Sequence, residues 1–319
     1  MNLMFSRTLK ALCTVMAAAL LSACGGASST VDPFIATRVI VFGDGFNYVD
    51  GSGAGQSTVQ TGETDITIAG RIAARYGIVT KQVSGSYPLA AAGGFSYATA
   101  NARVADVNTQ ISTFLSSAGS VAKKDLIVIA VGNWDIYDAA RSGVTSMDPT
   151  TTTLVTAIQR LTNAGAEHVV VMPPINMART PWAASSGISR STIESLSNTA
   201  TTSFNFTLLA KLTAAYRQDA KPVMFLDRTS DFNAFAGSVD AGGNVVQNYS
   251  GIALTNLSTA VCSVSSPAVG CALSGLIGGA TSTDYQTSVF ADEINLTPVI
   301  NRYLADRMIA TMVSIGWAP

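Results

Sequence analysis

The hydrophobic residues of this chain fall into short apolar runs, separated by longer stretches in which apolar and polar positions are mixed. Each run is followed by a glycine, a proline or a polar residue. Runs of this kind are typical of strands that are buried on both faces, as in a parallel sheet. The predicted strands are Arg38–Phe42, Asp125–Val131, His168–Met172 and Pro222–Leu226.

The stretches between the runs carry apolar residues at the three- and four-residue spacing of an amphipathic helix. Leu154 and Leu161, for example, share one face of such a stretch, and Gly165 follows it as a helix stop. The predicted helices are Thr64–Tyr76, Val107–Ser117, Thr152–Ala164, Ser191–Tyr216 and Thr297–Ile315.

The alternation of strands and helices predicts an α/β protein. Its architecture is a three-layer α/β/α sandwich with a mostly parallel sheet, because crossover helices cover both faces of such a sheet. We assign residues 35–319 to a single domain. Binding sites in these folds lie beyond the carboxyl ends of the strands, so the residues that directly follow each strand are the candidates for function.

The amino-terminal residues form a separate pattern. Arg7 and Lys10 precede an apolar stretch, Ala11–Leu21, that is too short to span a bilayer. The sequence Leu-Ser-Ala-Cys that ends at Cys24 resembles a bacterial lipoprotein signal. This resemblance implies cleavage before Cys24 and attachment of lipid to that cysteine. The alternative is an ordinary secretory signal with an incidental cysteine.

The lipoprotein interpretation makes residues 1–23 a signal peptide and residues 24–34 a flexible tether that carries the lipidated Cys24. It implies a membrane partner through Cys24 and a place in the bacterial cell envelope. Gly25 follows the cysteine where an aspartate would indicate retention in the inner membrane, which favours the outer membrane, with the domain facing the periplasm or the cell surface.

Composition and charge agree with one folded, exported domain. The chain is 48% hydrophobic and 12% charged, which is too little charge for a disordered protein. The net charge of −1 provides no basic surface for nucleic acid, so we expect no such partner. Cys262 and Cys271 remain after processing, and an exported protein predicts a disulfide between them. The alternative, a metal pair, lacks further Cys or His ligands, and we expect no metal or cofactor.

A series of short motifs follows the predicted strands and loops in order along the chain. The motifs are Phe42-Gly-Asp-Gly-Phe-Asn47, Gly93–Val104, Val131-Gly-Asn-Trp-Asp135, Ala164–Pro174 and Phe290–Thr297. Together they resemble the sequence blocks of the SGNH (GDSL) family of lipases and acylhydrolases over nearly the whole predicted mature chain. The resemblance implies a flavodoxin-like SGNH-hydrolase fold and hydrolysis of carboxylic esters by a serine nucleophile.

The resemblance also shows that the positions for this chemistry are altered. The family's nucleophilic serine falls on Gly45, which has no side chain. The family's histidine base falls on Asn295, whose amide does not titrate near neutral pH. Asp292, which would orient the histidine, is retained. Hydrolysis of the family type is therefore expected to be close to background.

The oxyanion-donor positions of the family are altered too. The asparagine of the third motif falls on Trp134, and the glycine of the second motif falls on Ala100 or Asn101. Trp134 either fills the pocket or offers a stacking platform for a sugar or an acyl chain. Asn133 lies one residue early, and a small bulge would let its amide point into the site.

Few other residues can substitute for the missing pair. Ser96 is a candidate displaced nucleophile, but it needs a base. His168, the single histidine, begins a strand at the end of the sheet opposite the expected site, which favours a strand-edge or surface role. Asp44 and Asp292 are both expected to approach the site, and two carboxylates can perform acid/base hydrolysis, although the residue matching Asp44 more often has a structural role in the family. The stretch from Asp50 to Gln60 is expected to be a mobile loop over the site.

Three functional hypotheses remain. The first is an exported, lipid-anchored protein without catalysis that binds a glycan, a lipid or an ester, or serves an envelope protein partner. The second is an active serine esterase with a rearranged site at Ser96 and Asp292. The third is a scaffold whose cleft is plugged by Trp134. The candidate cleft residues are Asp44, Gly45, Ser96, Asn101, Asn133, Trp134, Asp292 and Asn295.

Overall fold

The computed structural model of the chain describes residues 34–50, 55–83, 92–118, 121–216, 222–236, 248–249, 252–263, 267–277 and 284–319. These residues belong to one compact unit that spans residues 33–319. The predicted signal peptide, Cys24 and all of the tether before Phe34 lie outside the described residues, so the prediction of a lipid anchor stays a prediction.

The described strands are β1 (Arg38–Gly43), β2 (Val59–Gln60), β3 (Thr80–Gln82), β4 (Gly93–Ser96), β5 (Asp125–Ala130), β6 (Val169–Met172), β7 (Val223–Phe225), β8 (Asn248–Tyr249), β9 (Ile252–Ala253), β10 (Asn256–Ala260), β11 (Cys271–Ala272) and β12 (Ser288–Phe290). The central sheet has the order β3-β4-β1-β5-β6-β7, and all its pairings are parallel. Every residue of β1, β5 and β6 is buried, as expected for strands covered on both faces.

The described α-helices are α1 (Ile68–Ala74), α2 (Val104–Ala118), α3 (Asn133–Arg141), α4 (Asp148–Asn163), α5 (Pro181–Ser185), α6 (Arg190–Glu194), α7 (Phe204–Ala215), α8 (Thr229–Ala236) and α9 (Pro298–Ser314). Helix α4 packs between α2 and α7, whereas α1 packs on α9. The helices thus form two groups around a buried parallel sheet, which confirms the predicted α/β sandwich.

One predicted helix is interrupted in the structure. The stretch Ser191–Tyr216 forms α6, a π-helical turn at Ser195–Thr199, a break, and then α7. The break is a new helix start at Ser203, whose hydroxyl accepts a hydrogen bond from the backbone N–H of Phe206. A capping serine with an extended backbone satisfies an otherwise unpaired N–H group, and it divides an apolar pattern that continues on both sides.

The predicted mobile loop from Asp50 to Gln60 is also wrong for its described part, residues 55–60. Gln56, Ser57 and Thr58 are buried, and strand β2 pairs with β11. The Thr58 hydroxyl donates to the backbone oxygen of Leu296 at 2.7 Å. This segment is therefore packed against the final motif of the chain, where the sequence alone predicted a mobile loop over the site.

The strand order places the candidate motifs together. The chain leaves β1 for β3 and β4 on one side of the sheet, and then crosses to β5, β6 and β7 on the other. The change of direction lies at the carboxyl ends of β4, β1 and β5, which is where open α/β sheets hold their sites. The residues that follow these three strands are Tyr97, Asp44 and Val131.

Candidate functional site

The turn after β1 is held rigidly by its own side chains. Asp44 is buried and accepts a hydrogen bond from the backbone N–H of Phe46 at 3.2 Å. Asn47 donates to the backbone oxygen of Phe42 at 3.0 Å and accepts from the N–H of Ala69, in the first turn of α1, at 3.2 Å. The turn that carries Gly45 is therefore fixed to both the strand and the first helix.

Asp44 is buried, and no cationic side chain among the described residues pairs with it. Its second carboxylate oxygen accepts a hydrogen bond from the side-chain amide of Asn133 at 3.3 Å. Burial, together with the nearby Asp135 carboxylate, raises the pKa of Asp44 to about 7, although hydrogen bonds from Phe46 and Asn133 oppose the shift. Asp44 therefore carries a proton in the folded state at mildly acidic pH, where an exposed aspartate is ionised.

The buried Asp44 predicts that stability falls as pH rises. The unfolded chain releases the Asp44 proton near pH 3.8 and the folded chain near pH 7, so the folded state binds more protons between these values. The variant Asp44→Asn keeps an acceptor for the Phe46 N–H and removes the ionisation. It should be more stable than the wild type by about 1–3 kcal/mol near pH 8 and by much less near pH 4. Urea unfolding at both pH values measures the difference; an equal effect at the two values would contradict it.

Gly45 and Asn295 face each other across the site. Gly45 has no positive φ, so its backbone would accept a side chain, but a Cβ atom built there collides with Oδ1 of Asn295. The same Cβ would lie 2.9 Å from the backbone oxygen of Ala100 and 3.1 Å from Cβ of Ser57. The fold thus brings the two altered positions into contact, and the asparagine side chain occupies the space that a serine at position 45 would need.

Asp292 is fully engaged by neighbouring donors. One of its carboxylate oxygens accepts from the backbone N–H groups of Ile294 at 2.7 Å and Asn295 at 2.6 Å. The other accepts from the side-chain amide of Asn295 at 2.8 Å and the backbone N–H of Ala268 at 2.5 Å. Asn295 therefore takes the hydrogen bond that a histidine at its position would make with Asp292, but it has no titratable nitrogen to act as a base.

The loop that supplies the Ala268 donor is closed by a disulfide. The structure joins Cys262 to Cys271, with Cα atoms 5.9 Å apart, which confirms the predicted pair. Ala268 lies within the closed loop, and strand β11 begins at Cys271 and pairs with β2. The disulfide thus fixes one of the donors on Asp292, a role that the spacing of the two cysteines did not reveal.

Asn133, and not Trp134, lies beside Asp44. Asn133 is the first residue of α3, follows Gly132 at φ 125°, and is 2% exposed. Its side-chain amide donates to Asp44, and its side-chain oxygen accepts from the backbone N–H of Ile175 at 3.3 Å. The helix start takes the place of the bulge that the sequence analysis required. Both polar atoms of the Asn133 side chain are therefore hydrogen-bonded within the protein.

Trp134 packs in an aromatic cluster. Its ring lies 5.2 Å from that of Tyr137, which in turn lies 4.8 Å from the ring of Trp182. The guanidinium group of Arg103 stands 5.3 Å from the Trp134 ring centre. Trp134 and Trp182 are buried, and the backbone N–H of Trp182 donates to the oxygen of Glu293, next to Asp292. The cluster acts as packing that supports the final motif, and its rings do not form an open stacking platform.

The second motif supplies an acceptor near Gly45. Ala100 presents its backbone oxygen to the nucleophile position, as the contacts of Gly45 show. Asn101 is exposed, and its backbone oxygen accepts a hydrogen bond from Arg103 at 2.5 Å. An oxyanion needs donors, so a carbonyl oxygen at this place does not favour one.

Two buried serine hydroxyls lie in this region without a hydrogen-bond partner among the described residues. Ser96, at the end of β4, is completely buried, and no described contact links it to Asp292. Ser57 is buried beside Gly45, and its hydroxyl is also unpartnered. Ser57 was missed because the Gly-Ser-Thr-rich stretch around it resembles a loop, and no spacing in the sequence links it to Gly45.

His168 lies at the amino end of the sheet, directly before β6. Its ring stacks on Phe34 at 3.6 Å and meets the edge of Trp317 at 4.8 Å. Burial lowers the pKa of His168 below its ordinary value. This histidine therefore belongs to an aromatic cluster on the opposite side of the sheet from Gly45 and is not placed to act as a base there.

The described residues contain neither a metal-binding group of side chains nor a helix that could span a membrane. Their His, Cys, Asp and Glu side chains form no group that could hold a metal ion. None of the helices in the described ranges combines the length and the apolar character that crossing a bilayer requires.

The fold and the site together define an α/β sandwich protein in which Gly45 and Asn295 meet beyond the carboxyl end of β1. Its sequence matches the model of the GDSL-like lipase/acylhydrolase family over residues 39–308. The chain belongs to this family, which confirms the resemblance carried by its motifs. A comparison with curated proteins finds no match.

The chain is also similar to solved structures that are distant in sequence. A lipolytic protein of the G-D-S-L family from Veillonella parvula is 13% identical, with a TM-score of 0.45 over 86% of this chain and 98% of its own. A lipase/acylhydrolase from Enterococcus faecalis is 11% identical, with a TM-score of 0.42 over 87% and 96%. An acylhydrolase described as putative from Bacteroides fragilis is 11% identical, with a TM-score of 0.45 over 88% of each chain.

Proposed function

We propose that this protein is a catalytically inactive member of the GDSL family that serves the bacterial cell envelope as a lipid-anchored binding or scaffold protein. Cys24 provides the anchor. The partner is an envelope protein, or a glycan, lipid or ester that binds without being hydrolysed. The domain keeps the family's sheet and its Asp292 but not the pair of side chains that performs the chemistry.

The contact between Gly45 and Asn295 carries this proposal. Ester hydrolysis by this family needs a hydroxyl at the first position and a titratable nitrogen at the second. Here the first residue has no side chain, and the amide of the second fills the space between them. Losing one member of such a pair lowers the rate by about 10⁴ to 10⁶, and losing the second adds little because the two act as a unit.

Burial favours a scaffold role over ester binding at the altered site. Asp44, Asn133, Asp292 and Asn295 are each no more than 2% exposed. Their polar groups are paired with one another or with the backbone. An ester that entered would displace these contacts, so a partner is better accommodated on the outer surface of the domain. The burial of Ser96, without a base beside it, weighs against the rearranged esterase.

Ester hydrolysis by the purified mature chain tests the proposal. With 4-nitrophenyl acetate we expect a rate at the buffer background, because neither nucleophile nor base is present. Ser96→Ala serves as the matched variant, since it removes the alternative nucleophile and nothing else of the site. A wild-type rate about 10⁴-fold or more above background would overturn the proposal, and its loss in Ser96→Ala would establish the rearranged esterase instead.

A further inference from the structure

The tether enters the domain beside the carboxyl-terminal helix. The backbone N–H of Phe34 donates to the oxygen of Gly316 at 2.8 Å, directly after α9. The Phe34 ring stacks on His168, and His168 meets Trp317. Ile35, the next residue, is 47% exposed. The segment before Phe34 is therefore attached to the domain at this aromatic cluster.

An open apolar groove begins at the same cluster. It is a cavity of about 620 Å³ between α7, the edge strand β7 and the end of α9. Trp317 lines it and connects it to the cluster around Phe34, while Leu209 and Ile315 form its rims and are 47% and 51% exposed. Phe206, one helical turn before Leu209 on α7, is 52% exposed. Exposed apolar side chains that adjoin a groove form a surface suited to protein or lipid contact.

We propose that this surface, defined by Phe206, Leu209 and Ile315 with Trp317 behind them, docks on the lipid bilayer. The inference rests on the proposed lipid anchor at Cys24. The groove is partly open to solvent, which suits contact with a bilayer surface rather than enclosure of a single acyl chain. The candidate site lies at the opposite end of the strands from Phe34, so docking leaves the carboxyl end of the sheet accessible to other envelope components.

The length of the tether supports this occupant over others. Residues 24–33 can span at most about 35 Å. A domain held this close experiences the bilayer at a high effective concentration, so a weak apolar surface is sufficient for contact. Phe34, the first described residue after this segment, lies next to the groove, so a lipid anchor at Cys24 would keep a bilayer within about 35 Å of it.

The test places the mature chain, residues 24–319, on vesicles without relying on native lipidation. A histidine tag replaces the lipid in a Cys24→Ala background, and the vesicles contain phosphatidylethanolamine, phosphatidylglycerol and a nickel-chelating lipid. A polarity-sensitive fluorophore is attached at Leu209→Cys. The matched control is Val144→Cys, since Val144 is 43% exposed and lies in the loop before α4, at the carboxyl end of the sheet.

We expect the label at position 209 to brighten about twofold on vesicles and to be quenched by nitroxide lipids, with no change at position 144. The added pair Phe206→Asp and Ile315→Asp should abolish the response, with the folded state checked by circular dichroism. Equal responses at both positions overturn docking. A label at 209 that is already shielded without vesicles also overturns it, because another part of the chain or a second copy then covers the groove.

Native anchoring is measured separately in the full-length chain. Mass spectrometry of the amino-terminal peptide shows whether lipid is attached, and Cys24→Ala should move the protein from the membrane fraction to the soluble fraction. If lipid is absent, the proposed anchor fails, while the chelate-tethered measurement still decides whether the surface binds lipid. If lipid is present and position 209 does not respond, docking fails and the anchor stands.

Discussion

The double variant Gly45→Ser/Asn295→His is expected to hydrolyse 4-nitrophenyl acetate about 10²-fold or more faster than the wild type. The φ of position 45 is compatible with a side chain, and replacing Asn295 removes the collision with its Oδ1, so only the Ala100 backbone oxygen, 2.9 Å from the new Cβ, has to shift. Asp292 accepts a hydrogen bond from the side chain at 295, at 2.8 Å in the wild type, which is the contact that would orient a histidine. A positioned general base typically contributes about 10² to 10⁴ in rate.

The single variant Gly45→Ser is the control for this result. Its Cβ collides with Asn295 Oδ1 and lies 2.9 Å from the fixed backbone oxygen of Ala100, so it should be destabilised and gain no activity. Asn295→His alone supplies a base without a nucleophile and should also be inactive. Initial rates and urea midpoints of all four proteins measure the pattern. A folded double variant with wild-type rates would show that the acceptor at Ala100 and the committed amide of Asn133 prevent catalysis on their own.

The sheet could be predicted because its strands are hydrophobic on both faces. The apolar runs at Arg38–Phe42 and Asp125–Val131 became β1 and β5 within a residue of their predicted ends. Strand β4, Gly93–Ser96, was missed because two of its four residues are glycine, which has little preference for strands. Its place beside β1 is decided by long-range pairing, and a local pattern carries no information on that.

The candidate site could be predicted in outline and not in detail. The family's motif order was sufficient to place Gly45 and Asn295 in one site, although Gly45 follows β1 of the central sheet and Asn295 follows β12 of the separate β10-β12 pair. The register of the third motif assigned the donor position to Trp134. In the structure, the helix α3 begins at Asn133 and turns the Asn133 side chain, not that of Trp134, toward Asp44. Ser57 and Ala268 lie in loops with no periodic pattern, so their contacts with Gly45 and Asp292 follow only from the folded arrangement.

Asp292 has an asparagine, Asn295, beside it where the family resemblance implies a histidine, and its carboxylate organises the last motif. Three backbone N–H groups and one amide donate to it inside the protein. The donors come from Ala268, Ile294 and Asn295, so one side chain joins the disulfide loop to the turn before α9. Its role here is therefore to satisfy buried donors, and the stability of the domain should depend on it.

The variant Asp292→Ala is expected to lower the free energy of unfolding by about 4 kcal/mol or more. Hydrogen bonds to a charged acceptor each contribute about 1.5–3 kcal/mol, and buried donors left unpaired cost a comparable amount. Asp292→Asn keeps one acceptor oxygen and places an N–H₂ group against donors, so its loss should be smaller, about 2 kcal/mol, and measurable if the alanine variant does not fold. Glu167→Ala, in an exposed pair with Lys123, is the matched control and should change stability by no more than about 0.5 kcal/mol.

Urea unfolding of the three variants measures these values. A loss under about 1 kcal/mol in Asp292→Ala would mean that the four donors find other partners, and that Asp292 has a role other than holding this end of the domain together.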